Sequence, residues 1–216
     1  MFSVKKPQFY SWMIALAVFI IGLAAYPLLP GTMASHWGLS GEANGYTSKA
    51  TGIVLLPAIM VAIMLIFQFL PKIDPLKENI RQFKKYYDRF VMIAVGFLGY
   101  TYLLTIIWNL GIKFDLFRFL VPAIALLYYF LGRILPEARP NWIFGIRTPW
   151  TLSNGRVWYR THELAGKLFK LAGGLSLGGF LWPSLAIYFL LIPTVTVSLW
   201  LFVYSYLEFR KETFTK

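Results

Sequence analysis

The feature that most constrains this chain is a series of long apolar stretches, at 11–29, 52–70, 90–110 and 119–135. Each approaches the roughly 20 residues a helix needs to cross about 30 Å of hydrocarbon. A further charge-free stretch, 171–207, is too long for one crossing and is interrupted by Pro183 and Pro193. Trp182-Pro183-Ser184 offers the better turn chemistry, so the break is placed there. That gives a short fifth helix beginning near Leu164, with Lys167 and Lys170 at its basic end, and a sixth over 185–207. Composition agrees. Hydrophobic residues make up 58% and charged residues 14% of the chain, and mean hydropathy is +0.61. Soluble domains average about 45–50% apolar and about 25% charged, so the solvent for this surface has to be lipid.

The net charge of +12 is distributed as insertion topology demands. Of 21 Lys and Arg residues, only Lys49, Lys113 and Arg118 fall in the odd-numbered connections. The other eighteen lie in the two tails, in 72–89 and in 133–170. The expected fold is therefore all-α and polytopic, with six transmembrane helices and both termini inside, in a bacterial cytoplasmic membrane. The first span, long enough to cross and lacking a clean cleavage site, is expected to be retained. Short basic runs between apolar segments do not form the continuous basic face that nucleic acid requires, and no direct nucleic-acid partner is expected.

Three connections carry more than connectivity. The outer loop, 30–50, holds Gly38, Gly41 and Gly45 and is expected to be a folded cap. Within it Trp37 suits an interfacial aromatic belt and His36 a loop carbonyl; alternatively His36, Trp37, Glu42 and Tyr46 contact an external ligand. In 71–89, Asp74 is a plausible N-cap before Pro75, and Leu76, Ile80, Phe83, Tyr87 and Phe90 recur at helical spacing opposite Lys77, Arg81, Lys84 and Lys85. This predicts an amphipathic cytoplasmic helix running into the third span, attracted to anionic lipid or docking a protein.

The third is 136–167, basic and crowded with Trp142, Phe144, Trp150, Trp158 and Tyr159. So many large rings require burial. Arg147, set among apolar neighbours, needs a partner: lipid phosphate, a backbone carbonyl, Glu137 or Glu163. Pro149 stops any preceding helix, and Ser153-Asn154-Gly155 is a turn able to cap the next one. A partly re-entrant segment over 141–152, then a membrane-surface helix, is expected. Further on, Gly174 and Gly178, with Gly173, Ser176 and Gly179, suit close helix packing, inside the bundle or between subunits.

Several chemistries find no support. His162-Glu163 fails the H-E-x-x-H pattern because Gly166 stands where the second histidine belongs, and His36 falls on the opposite side of the membrane. There is no phosphate-binding glycine loop, no Cys, and no Asp, Glu, Lys or Arg at the centre of a span. No enzyme activity, no metal and no cofactor is expected.

The string Asn141 to Trp158, with its core Gly145-Ile146-Arg147-Thr148-Pro149-Trp150-Thr151-Leu152, resembles the SdpI family of bacterial membrane proteins. Pro27 to Tyr46, with His36-Trp37, Gly41 and Gly45-Tyr46, is similar to the small domain of unknown function that often precedes it. The resemblance divides the chain into an N-terminal two-helix unit (1–70, with outer loop 30–50), a cytoplasmic amphipathic helix (71–89) and a four-helix unit (90–216) whose signature loop is 136–167. It implies immunity to a secreted, membrane-active peptide toxin, and signalling by holding a small cytoplasmic repressor at the membrane. Asn141, Gly145, Arg147, Thr148, Pro149, Trp150 and Trp158 would then form the signature loop or partner-binding face, and His36, Trp37, Glu42 and Tyr46 the toxin face. Alternatives are a small-solute transporter or channel gated by the Arg147 loop, and a membrane-embedded enzyme using His36 and Glu42.

Overall fold

The computed structural model describes residues 6–38 and 41–214. Lys5 and Lys216, counted in the basic tails, lie outside them, as does the side chain of Lys6. The order is α1 (Lys6–Ala25), β1 (Thr32–Trp37), β2 (Ala43–Ser48), α2 (Lys49–Ile73), α3 (Lys77–Asn109), α4 (Leu116–Ile134), α5 (Pro149–Ser153), α6 (Gly155–Ser176), α7 (Gly178–Leu181) and α8 (Ala186–Phe214).

Among the described residues, five helical stretches are long and apolar enough to cross a membrane: Pro7–Leu28, Lys49–Ile73, Lys77–Asn109, Leu116–Glu137 and Pro183–Thr213. Their outward faces carry large apolar side chains such as Leu16, Leu65, Leu126 and Leu199, which are more than half exposed. In water that would drive aggregation, whereas in lipid it is the expected surface. The chain is a polytopic helical membrane protein. The expected fifth helix forms as part of α6, but its first turns carry Arg156, Arg160 and Glu163, and the helix breaks at Leu177, so it falls short of that apolarity. The break before α8 does fall at Trp182-Pro183.

The connections sort to two ends. At one, Asp115 lies against Gly41 of the hairpin, and the Arg118 guanidinium sits 5.3 Å from the Phe180 ring. At the other, Asp74 accepts a hydrogen bond from the Trp142 N–H, and Arg160 pairs with Glu208 at 2.8 Å. Arg156 and Arg160 both reach Glu212, so the start of α6 is clamped to the end of α8.

Helix α3 reaches both ends. Its 33 residues amount to about 50 Å of α-helix. Helicity is broken at Phe83 (φ −112°, ψ 18°), within the amphipathic start and ahead of Lys84, Lys85 and Arg89. Asp74 acts differently from the expected N-cap. It ends α2, and its carboxylate accepts the Leu76 N–H, so α3 begins at Lys77. The stripe Ile80, Phe83 and Tyr87 is buried, and Phe83, Tyr87 and Phe90 surround the Phe144 ring at 6.2, 6.5 and 5.0 Å. Protein rather than headgroups covers the apolar face there.

Helices α4 and α6 approach most closely at Gly132 and Gly166, where either added Cβ would meet the other helix's backbone. Gly173 extends that contact to the Ala125 carbonyl, while Gly178 and Gly179 receive Phe189 and Ala186 of α8. Gly174 has open space above it, so the close packing within the chain runs through its neighbours rather than through the Gly174–Gly178 pair.

Candidate functional site

The loop over 30–50 is an antiparallel hairpin, β1 on β2, with bulges around His36. Of its three glycines Gly41 adopts positive φ (79°), at the turn between the strands. One side chain of α3 holds the hairpin by hydrogen bonds. Asn109, buried, accepts the Ala34 N–H at 2.8 Å and donates to the Ala34 carbonyl at 3.0 Å, serving both polar groups of a strand residue that is itself buried. Trp37 is not at the surface. It packs edge-to-face on Trp108 at 5.5 Å, in a small core with Ala34, Leu104 and Leu116. His36 is exposed, and its Nδ1 meets Asn44 Oδ1 at 2.6 Å, a side chain rather than the expected carbonyl. Glu42 is exposed, and Tyr46 is 60% exposed, its hydroxyl donating to the Ala43 carbonyl. The hairpin thus gathers His36, Glu42 and Tyr46 as an outward face and keeps Trp37 as its anchor.

Asn109→Leu should release the hairpin. It leaves a buried N–H and a buried carbonyl without partners, a cost of about 3 kcal/mol. The expected readout is rapid protease cleavage within 30–50 in detergent, with α1 and α2 left intact.

At the opposite end, 138–154 folds around Asn141, which is fully buried. Its Oδ1 accepts from the Ile143 and Phe144 N–H groups at 2.8 and 2.6 Å. Its Nδ2 donates to the Arg139 and Phe144 carbonyls at 2.7 and 3.0 Å. Distant residues complete the loop's backbone: Asp74 takes the Trp142 N–H, and Asn79 donates to the Pro140 carbonyl. Gly145 turns the chain at φ 108°, and a Cβ there would run into the His162 ring.

His162 is the second organiser. Its Nε2 lies 2.9 Å from the Ile146 N–H and must accept from it, so Nδ1 carries the proton and donates to the Trp158 carbonyl at 2.8 Å. The ring stacks on Trp158 at 4.1 Å, and Trp158 donates from its indole to the Ala138 carbonyl. Burial pushes the imidazole down to about 4.

Thr148 then caps α5 reciprocally with Thr151 and meets Ser205 of α8 at 3.0 Å. Pro149 therefore starts a helix as well as barring one before it. Trp150 packs between Phe202 and Tyr206. Asn154 caps α6 by accepting from Arg156 and Val157, as the turn chemistry requires. Arg147, exposed, donates to the Trp142 carbonyl at 2.7 Å, the backbone-carbonyl option among its expected partners.

The seven signature residues thus divide. Asn141, Thr148 and Trp158 spend their polar atoms inside the chain, and Gly145 makes the turn. Arg147 and Pro149 face outward, and Trp150 is half-buried beside α8. The organising residues that lay outside the sequence expectation are Asn79, Asn109, Ser205 and, given no role, His162. Only Asn109 carried a local signal, as an amide closing an apolar run.

This is a helical membrane protein with a hairpin cap at one end and a polar-satisfied folded loop at the other. Residues 137–206 match the SdpI/YfhL protein family, and residues 13–61 match DUF1648, a domain of unknown function. The chain is similar to Immunity protein SdpI of Bacillus subtilis (strain 168), at 24% identity over 168 residues, which is 78% of each chain. No solved structure matches it. The resemblance drawn from the Asn141 to Trp158 string stands, the hairpin lies within the DUF1648 match, and the folded loop over 138–154 lies within the SdpI/YfhL match.

Proposed function

We propose that this chain is an immunity protein that protects the bacterium carrying it from a membrane-active peptide toxin. The observation that carries the proposal is its similarity, over 78% of each chain, to a protein named for immunity. The proposed topology has six spans in the cytoplasmic membrane, with the fifth running from near Leu164 through α7 and both termini inside. The basic connections at the loop end and the sparse ones at the hairpin end favour that orientation. On this reading the toxin meets the outer face of the hairpin at His36, Glu42 and Tyr46, and Trp37 seats the hairpin on α3. Helix α3 is the physical link to the inside, since it holds the hairpin through Asn109 and the signature loop through Asn79 and Phe83. Toxin can shift the loop only by differential affinity for two arrangements of that assembly. Exposed Trp142 and Arg147 are the loop's surface for a cytoplasmic repressor.

The test is survival of a toxin-sensitive strain expressing the protein. Protection is expected. Tyr46→Ala and Arg147→Ala should lose most of it at near-normal membrane abundance, because both side chains are exposed. Loss of abundance instead would make them structural, and solute flux in liposomes without protection would replace the proposal with a transporter. Orientation has a direct check, since the chain has no Cys. A membrane-impermeant maleimide should label Tyr46→Cys from outside and Lys85→Cys only after the membrane is opened.

A further inference from the structure

Between α3 and α4, at the signature-loop end, lies an open cavity of about 770 Å³ whose rim carries Arg89, Arg133 and Lys170 from three different helices, with one carboxylate, Glu137. All three cations are exposed, and among the described residues no carboxylate pairs with any of them. At the same end Arg81, Lys84, Arg156, Arg160, Lys167 and Lys211 do form ion pairs. The Lys170 stem lies against Gly132, which aligns the ammonium beside the end of α4.

The cavity does not end at the cations. Ile93 and Phe130 also line a second, almost wholly apolar groove of about 440 Å³, which continues along the same seam past Gly96, Tyr100 and Pro122. Nothing stands within 4 Å of where a Cβ on Gly96 would be, so the missing side chain opens the groove. A cationic pocket at the membrane edge, running into an apolar channel along two spans, has the polarity profile of one phospholipid molecule. Basic pockets between transmembrane helices bind anionic headgroups by this chemistry.

We propose that the α3–α4 seam is a binding site for an anionic phospholipid, its phosphate held by Arg89, Arg133 and Lys170 and one acyl chain laid over Gly96 and Pro122. The site rests on the membrane-spanning fold alone, and only its assignment to the inner leaflet rests on the proposed orientation. A lipid here would bridge α3, α4 and α6 next to the loop.

The experiment is native mass spectrometry of the delipidated full chain, titrated with phosphatidylglycerol, phosphatidylcholine or inorganic phosphate. Phosphatidylglycerol should bind about tenfold more tightly than phosphatidylcholine, and the doubly substituted Arg133→Gln, Lys170→Gln protein should lose that preference. Gly96→Phe should weaken both lipids by filling the groove, and Arg81→Gln, outside the seam, should change nothing. Equal binding of the two lipids, or a preference that survives the double substitution, would overturn the proposal. Displacement of the lipid by millimolar phosphate would show a free-phosphate site instead, and unchanged affinity in Gly96→Phe would remove the acyl groove.

Discussion

Asn141→Ala should leave the protein folded in its long helices but without its signature loop, at a cost of about 3–5 kcal/mol. The amide serves four backbone groups at once, the N–H groups of Ile143 and Phe144 and the carbonyls of Arg139 and Phe144. Alanine strands all four, the two Phe144 groups in buried contacts and the Arg139 and Ile143 groups in part-buried ones. Each stranded buried group costs about 1–3 kcal/mol, and the total stays below the sum because a short loop can relax. Phe144 would lose its register and with it the cluster on Phe83, Tyr87 and Phe90. The measurement is thermal unfolding of purified protein beside membrane abundance. Asn141→Asp keeps an oxygen to accept the Ile143 and Phe144 N–H groups and loses the two donated bonds, so it should fall between wild type and alanine. An Asn141→Ala protein as stable as Arg147→Ala would mean that the amide bonds are dispensable.

That ranking inverts what the sequence suggests. In Gly145-Ile146-Arg147-Thr148-Pro149 the charge is the conspicuous residue, and a guanidinium among apolar neighbours invites a buried role. The fold instead puts Arg147 outside and gives the centre to Asn141 and His162. Asn141 could have been seen, since its partners lie within three residues and Asn favours such local bonds. The distant supports could not. Asp74 and Asn79 reach the loop from more than 60 residues away, and Ser205 meets Thr148 across 57. No periodicity reports such pairs. The long apolar helices were legible for the opposite reason, because hydrocarbon thickness imposes a length that composition alone reveals. The fifth helix was harder, as α6 spends its first turns on loop contacts and ion pairs before turning apolar. The hairpin was legible as a folded cap but not as strands, because its glycines and the bulges at His36 erase the alternation that marks a strand.

Stability of the signature loop should fall as pH drops from about 6.5 towards 4, and His162 should account for the fall. In the folded loop burial holds the imidazole at about 4, whereas the unfolded chain titrates near the ordinary 6.5. Between those values the unfolded state takes up a proton that the folded state refuses, so unfolding is favoured as pH falls. The full loss, reached below about pH 4, is on the order of 3 kcal/mol. The geometry supplies the reason. A proton on Nε2 would point at the Ile146 N–H, donor against donor, with Trp158 stacked on the ring and no carboxylate bonded to it. Acid also weakens the ion pairs that clamp α6 to α8, so wild type alone cannot assign the slope. His162→Phe keeps a flat ring against Trp158 and removes the titration. It should be less stable than wild type at pH 7 by about 1–3 kcal/mol, having stranded the Ile146 N–H, yet lose less on acidification. Thermal midpoints of the two proteins from pH 7 to 4 should therefore converge. Parallel curves would place the acid sensitivity in the carboxylates that clamp α6 to α8, and would leave His162 as a neutral peg whose protonation the fold never feels.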